Sequence, residues 1–213
     1  MAFYNESNQS SFVISFTNAP RYDFGNFAVG YKFAANLIAE KLMESEVGFP
    51  DYQAYPVVFL YRHAFELHLK NILYKGAKFL FFQRVECIDH KLHNNHNLIQ
   101  LSKKAGEVLI TAFPEDKVFL QEISEKIKRT AIEFHEIDKN SYAYRYPIDR
   151  DGNPSTSRSQ FVSLESLASH MDNLFHDLEN VDTALDGETF RAEEAYDIAE
   201  QLFGEFLEDS GSV

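Results

Sequence analysis

Residues 55–75, YPVVFLYRHAFELHLKNILYK, narrow the fold more than any other part of the chain. Val58, Tyr61, Phe65, Leu69, Ile72 and Leu73 recur at three- and four-residue steps, the period of a helix with one broad apolar face. Pro56 has a fixed φ and no N–H, which suits a first turn, so the helix is predicted to open there and to end near Gly76. Arg62, His63, Glu66, His68 and Lys70 lie on the same helix. Each of these costs desolvation on a half-buried surface unless it is paired, so either structure or chemistry must account for them.

The rest of the pattern is also helical. A helix from Asp23 or Asn26 to about Glu46 is predicted to turn Phe27, Tyr31, Ala34, Ile38 and Leu42 inward, with Gly48 as its cap and Pro50 as its stop. Residues 78–93 extend the central helix or form an insertion over the bundle. Asn97 is predicted to cap a helix to about Phe113, with Leu98, Leu101, Ala105, Val108, Leu109 and Ala112 inward. Pro114 ends it and opens the next, over 115–138, with Val118, Phe119, Ile123, Ile127, Ala131 and Phe134 inward. A long segment, 139–160, carries the turn signal Asp151-Gly152-Asn153-Pro154.

Ser163 is predicted to cap a helix over 164–185, with Leu167, Met171, Leu174, Phe175 and Leu178 inward. Asp186-Gly187 is read as a hinge to a last helix over 189–207, packed through Phe190, Ala195, Ile198, Leu202, Phe203 and Phe206. Ser11 to Thr17 suit a short edge strand or an extended arm. The expected fold is all-α, an up-and-down bundle of five or six helices. Its parts are an N-terminal arm over 1–22, the bundle over 23–186, and an acidic C-terminal helix over 187–213 packed on or extending the bundle.

A chain of 213 residues with 20 Phe and no Trp can build one core around phenylalanine. The single cysteine, Cys87, excludes an intrachain disulfide and fits a reducing compartment; it has no CxxC partner and reads as buried and inert. No leader-like basic and apolar opening and no membrane-length apolar run is present, so a cytoplasmic protein without membrane association is expected. The net charge of −13 is unevenly spread. Residues 165–213 hold 14 acids and one base, Arg191, whereas residues 62–104 hold 8 bases, 3 acids and five of the 8 histidines. A basic middle permits a polyanion site, and it equally describes solvated helix faces.

The pattern Arg-His-x-x-Glu-Leu-x-x-Lys over residues 62–70 resembles bacterial proteins of the HEPN superfamily, as do His96-Asn97-Leu98 and Tyr144-Arg145-Tyr146-Pro147. The resemblance covers about 55–178. It implies a HEPN-like bundle and a metal-independent endoribonuclease of toxin–antitoxin or phage-defence type. Its active motif is an arginine, a polar residue, and a histidine after four to six intervening residues, which Arg62, His63 and His68 match. Six positions along a helix separate Arg62 from His68 by ~9 Å and about 120° of rotation. In the family reading, a homodimer therefore joins both copies of this helix into one composite cleft. There histidine would move protons and arginine would hold phosphate oxygens. Other members of the superfamily are inactive, and the alternative is a binding or assembly module for a nucleotidyltransferase-like or effector partner.

His96, Tyr144 and Arg145 are the expected substrate-binding residues, His96 in a helix-capping or phosphate-facing role, and Tyr144 and Arg145 because aromatic rings alternating with a base suit single-stranded RNA as well as clamping a loop. His90, His93 and His96 recur every third residue. With no acid or cysteine cluster to complete a shell, neither a metal nor any other cofactor is expected.

Overall fold

The computed structural model describes residues 23–45, 51–83, 94–138, 143–148, 151–155 and 162–210. Within them the protein is all-α, with no strand. Five helices pack as a bundle: α1 (Phe24–Met43), α2 (Asp51–Phe82), α3 (Leu98–Ala112), α4 (Lys117–Ile137) and α5 (Leu164–Ser210). The arm at 1–22 and residues Cys87, His90 and His93 lie outside the described residues.

α2 is the axis of the molecule and packs against α1, α3 and α5, while α3 and α4 pair with each other. Between Tyr61 and Leu73 every residue but His63 is buried. Tyr61, Ala64, Phe65, Leu69 and Ile72 are wholly enclosed by Leu101 and Leu109 of α3, Ile127 of α4 and Met171, Leu174, Phe175 and Leu178 of α5, all in one core.

α2 starts at Asp51, one turn before Pro56, and runs through Gly76 to Phe82. Pro56 removes the amide that would bond to the carbonyl of Tyr52, so the first turn is tied by one bond fewer. Gly76 is no cap: a Cβ there would collide with Cγ1 of Val108, so glycine lets α3 approach α2 closely. Gly106 does the same between α3 and α4, where a Cβ would stand 2.8 Å from Ser124 Oγ.

The caps fall where side chains can accept backbone N–H groups. Asp23 accepts from Asn26 at the start of α1, and Asn97 accepts from Gln100 at the start of α3. All six apolar positions expected on α3 are buried. α4 follows a 3-10 turn, Pro114–Asp116, and its inward face is centred on Leu120, Ile123, Ile127, Ala131 and Phe134. Val118 and Phe119, expected inward, are exposed, because Val118 falls opposite that face and Phe119 at its edge.

α1 also departs from expectation. It buries Ala28, Ala35 and Ala39 and exposes Phe27 and Ile38. The hinge expected at Asp186-Gly187 is absent, and α5 is one continuous helix. Leu185, Thr189 and Ala192 are buried at helical spacing across that point, and Lys75 of α2 grips Asp182 and Asp186 one turn apart. These contacts outweigh the ~1 kcal/mol that glycine costs in a helix interior. Phe190, Ala195 and Ile198, expected to pack, are exposed. The side chains of Leu202, Phe203 and Phe206 lie outside the described residues. No described helix is long and apolar enough to cross a membrane.

Candidate functional site

Arg62, Glu66 and Lys70 stand four residues apart, so one face of α2 carries them as a column. All three are buried, and that face looks at the segment before α3 and the last turn of α4. Glu66 joins its neighbours, with Arg62 Nη1 at 3.2 Å from Oε2 and Lys70 Nζ at 2.9 Å from Oε1. Arg62 Nη2 donates to the carbonyl oxygen of His96 at 3.3 Å, and its Nε lies 3.4 Å from Asp138 Oδ2. Asp138 is the C-cap of α4, and its Oδ1 accepts the N–H of Ala143 at 3.1 Å. Two cations and two carboxylates thus balance inside the protein and tie α2 to α4 and to two connecting segments.

The carboxylate of Glu66 also takes His96, whose Nδ1 lies 2.8 Å from Oε1. Burial alone would raise the pKa of Glu66, but the hydrogen bond and charge of Lys70, with those of His96, hold it below the usual carboxylate value. The imidazole of His96 itself is largely in solvent, with its side chain 62% exposed. With Nδ1 held by the Glu66 carboxylate, Nε2 is the ring nitrogen not engaged in that contact.

His63 and His68 differ from His96 and from each other. His63 is half-buried between Tyr31, edge-on at 4.5 Å, and Phe59, parallel at 5.6 Å. Burial lowers its pKa, Glu66 acts in the opposite sense, and Lys70, Arg62 and Arg145 lower it further. His68 is 2% exposed, with its ring 5.1 Å from that of Phe175 on α5. Burial pulls its pKa down to about 4, and neither ring nitrogen has a hydrogen-bond partner among the described residues. Arg62 therefore faces α4 and the start of α3 while His68 faces α5. Within one protomer the pair does not converge, and neither side chain reaches the surface.

The expected loop residues divide in the same way. Tyr144 is half-buried with its ring 6.4 Å from Tyr55, and burial followed by the charge of Asp138 pushes its hydroxyl pKa upward. It clamps the loop onto the bundle. Arg145 is exposed, its guanidinium 5.4 Å from the Phe59 ring and 5.6 Å from the Tyr146 ring. Among the described residues no three His, Cys, Asp or Glu side chains gather as a metal ion would require.

The acidic end and the basic middle meet. Along α5, Asp182 and Asp186 each lie 2.7 Å from Lys75, and Glu193 lies 2.9 Å from Lys78. Glu179 pairs with Lys32 of α1 at 2.8 Å, and Asp177 with Lys126 of α4 at 2.6 Å. Burial would lower the pKa of Lys75, yet its hydrogen bonds to Asp182 and Asp186 raise it. Much of the charge that suggested a polyanion site is answered inside the chain.

The sequence marks Glu66 only as one of the polar residues of the central helix and does not point to Asp138. The four-residue spacing signalled the first, and no sequence signal joins residue 138 to residue 62. Comparison of the chain with models of known families, with curated proteins and with solved structures finds no match.

Proposed function

We propose that this chain is a HEPN-like helical binding and assembly module that pairs with a partner subunit of nucleotidyltransferase-like or effector type. In this reading Arg62 and His68 do no chemistry. The observation that carries it is the enclosure of both groups: Arg62 is engaged by Glu66, Asp138 and the His96 carbonyl, and His68 is shut against Phe175. A guanidinium so placed cannot reach a phosphate without opening a buried ion network, and an imidazole held near pKa 4 is a poor proton donor at neutral pH. The neutralisation of Lys75 and Lys78 by α5 gives further support, because it removes cations that RNA would need.

A second reading keeps the ribonuclease and moves its proton-transfer group. Glu66 orients His96 as a carboxylate orients a general base, and the largely exposed ring is open to a ligand. Arg62 would then be a positioning residue acting through Glu66, with the exposed Arg145 and Tyr146 as RNA contacts.

Both readings meet one assay, incubation of the purified protein with single-stranded and structured RNA in EDTA. The module reading expects no cleavage, together with a stoichiometric complex on co-expression with a nucleotidyltransferase-like or effector partner. Cleavage abolished by His96→Ala and retained by His68→Leu would establish the second reading instead. Cleavage lost in His68→Leu with the fold intact would overturn both.

A further inference from the structure

α5 changes character at Gly187. Before it, Met171, Leu174, Phe175, Leu178, Val181 and Leu185 are buried in the core, whereas beyond it the only buried side chains among the described residues are Thr189 and Ala192. The helix nevertheless continues to Ser210. Its second part touches the end of α2 through Glu193, 2.9 Å from Lys78, and through Tyr196, whose ring lies 5.7 Å from that of Phe82. Lys78 Nζ itself stands 5.7 Å from the Phe82 ring, so a cation and a ring side by side form the seat. We propose that residues 188–210 are a latch: they swing away from α2 as a unit about Gly187, and while closed they occupy a seat that fits an acidic, aromatic segment of a partner protein. This rests on α5 and the end of α2 alone and holds whichever reading of Arg62, His68 and His96 is right.

Three observations set the latch apart from ordinary fraying of a helix end. The first is the glycine. Gly76 and Gly106 permit close approach of neighbouring helices, but a Cβ on Gly187 would meet only Arg191 Nη2, at an ordinary 3.8 Å. Packing therefore gives no reason for glycine here, and its backbone freedom loosens the helix at this point. The second is the hydroxyl of Thr189, which is buried without a hydrogen-bond partner among the described residues. Closure strips it of water and opening returns that water. The third is the nature of the hold: Glu193 and Lys78 are 44% and 42% exposed, so their attraction is weak and screened by salt.

The occupant of the seat states the chemistry of the partner. Glu193 and Tyr196, three residues apart on one helix face, set a carboxylate on Lys78 and a ring on Phe82. A partner helix bearing an acid and an aromatic residue at that spacing makes the same two contacts, and it gains them only by displacing the latch. The closed form of α5 is in this sense an autoinhibitory contact.

The test is hydrogen–deuterium exchange of the full chain. Amides over 189–198 should exchange at least ~30-fold faster than those over 171–185, with the step within one turn of Gly187. Raising NaCl from about 0.05 M to about 1 M should speed the outer range ~2–5-fold and leave the inner one unchanged. Gly187→Ala and Thr189→Val should each slow the outer range, by ~3–10-fold. Lys78→Glu and Glu193→Lys should each speed it, and the two together, which restore an ion pair of reversed sign, should bring it back towards the parent.

For the seat, the probe is a fluorescein-labelled synthetic peptide of residues 188–210, read by anisotropy. It should bind the Glu193→Gln chain, whose latch has lost its ion pair, at least ~10-fold tighter than the Gly187→Ala chain, and should lose that advantage when Lys78→Gln is added. Exchange that rises smoothly along α5, a rate indifferent to salt and to the charge reversals, or equal peptide binding by the loosened and tightened chains would overturn the proposal.

Discussion

Replacing His68 with leucine should make the protein more stable, by an amount that grows as the pH falls. The imidazole is 2% exposed and neither nitrogen has a partner among the described residues. An unsatisfied buried polar group of this kind costs ~1–3 kcal/mol, whereas an apolar side chain of similar size against Phe175 carries no such cost. Allowing for imperfect repacking, the gain at pH 7.5 is about 1 kcal/mol, or ~2–4 °C in Tm for a chain of this length.

Protonation adds to that gain. The folded chain takes up a proton on His68 only near pH 4, against 6.5 for the unfolded chain, with burial the main cause. The parent therefore keeps its full stability above about pH 6.5 and loses it as the pH falls from there towards 4. At pH 5 this adds roughly 2 kcal/mol to the advantage of the variant. The assay is thermal unfolding of parent and His68→Leu at pH 7.5, 6 and 5, read as the difference between the two so that other titrating groups cancel. A variant less stable than the parent at pH 7.5, or a difference that does not widen towards pH 5, would rule out an unpartnered buried imidazole at His68. Either result would mean that His68 is hydrated or hydrogen-bonded in solution.

Arg62→Ala should cost about 3–5 kcal/mol, because Glu66 and Asp138 would stay buried without the guanidinium that lies between them. Arg62→Lys should recover little of it in urea unfolding, since one ammonium cannot span Glu66, Asp138 and the His96 carbonyl as the guanidinium fork does. Glu66→Gln should be destabilising at neutral pH. Because the folded-state pKa of Glu66 is lowered, the gap to the parent should be full above about pH 4.5 and close as the pH falls through that lower value. Gly76→Ala should cost ~1–3 kcal/mol through its collision with Val108, and adding Val108→Ala should relieve part of that in a double-mutant cycle.

Much of the bundle was legible before any coordinates. The six apolar positions of α3, the cap at Asn97 and the four-residue spacing of Arg62, Glu66 and Lys70 follow from spacing and side-chain chemistry within one or two turns. The errors share a cause. α1 is apolar on every side, so its period could not say which side the bundle takes. Asp186-Gly187 reads as a break until Lys75 and the buried Leu185, Thr189 and Ala192 are set against it. The sequence itself sets His68 about 120° of helix rotation from Arg62, but not that its ring meets Phe175 of α5.

Side-chain order alone is enough to place most of the helices, most of their inward faces, and the concentration of bases in the middle and acids at the end. Those properties come from interactions between residues a few positions apart, which the order of side chains specifies directly. Packing in three dimensions closes Asp138 on Arg62, sets the acids of α5 against Lys75 and Lys78, and leaves the His96 imidazole largely exposed while burying that of His68. Whether a charge is neutralised or a ring can titrate depends on what a distant helix brings within a few ångströms. That distance is fixed by packing, and no local pattern encodes it.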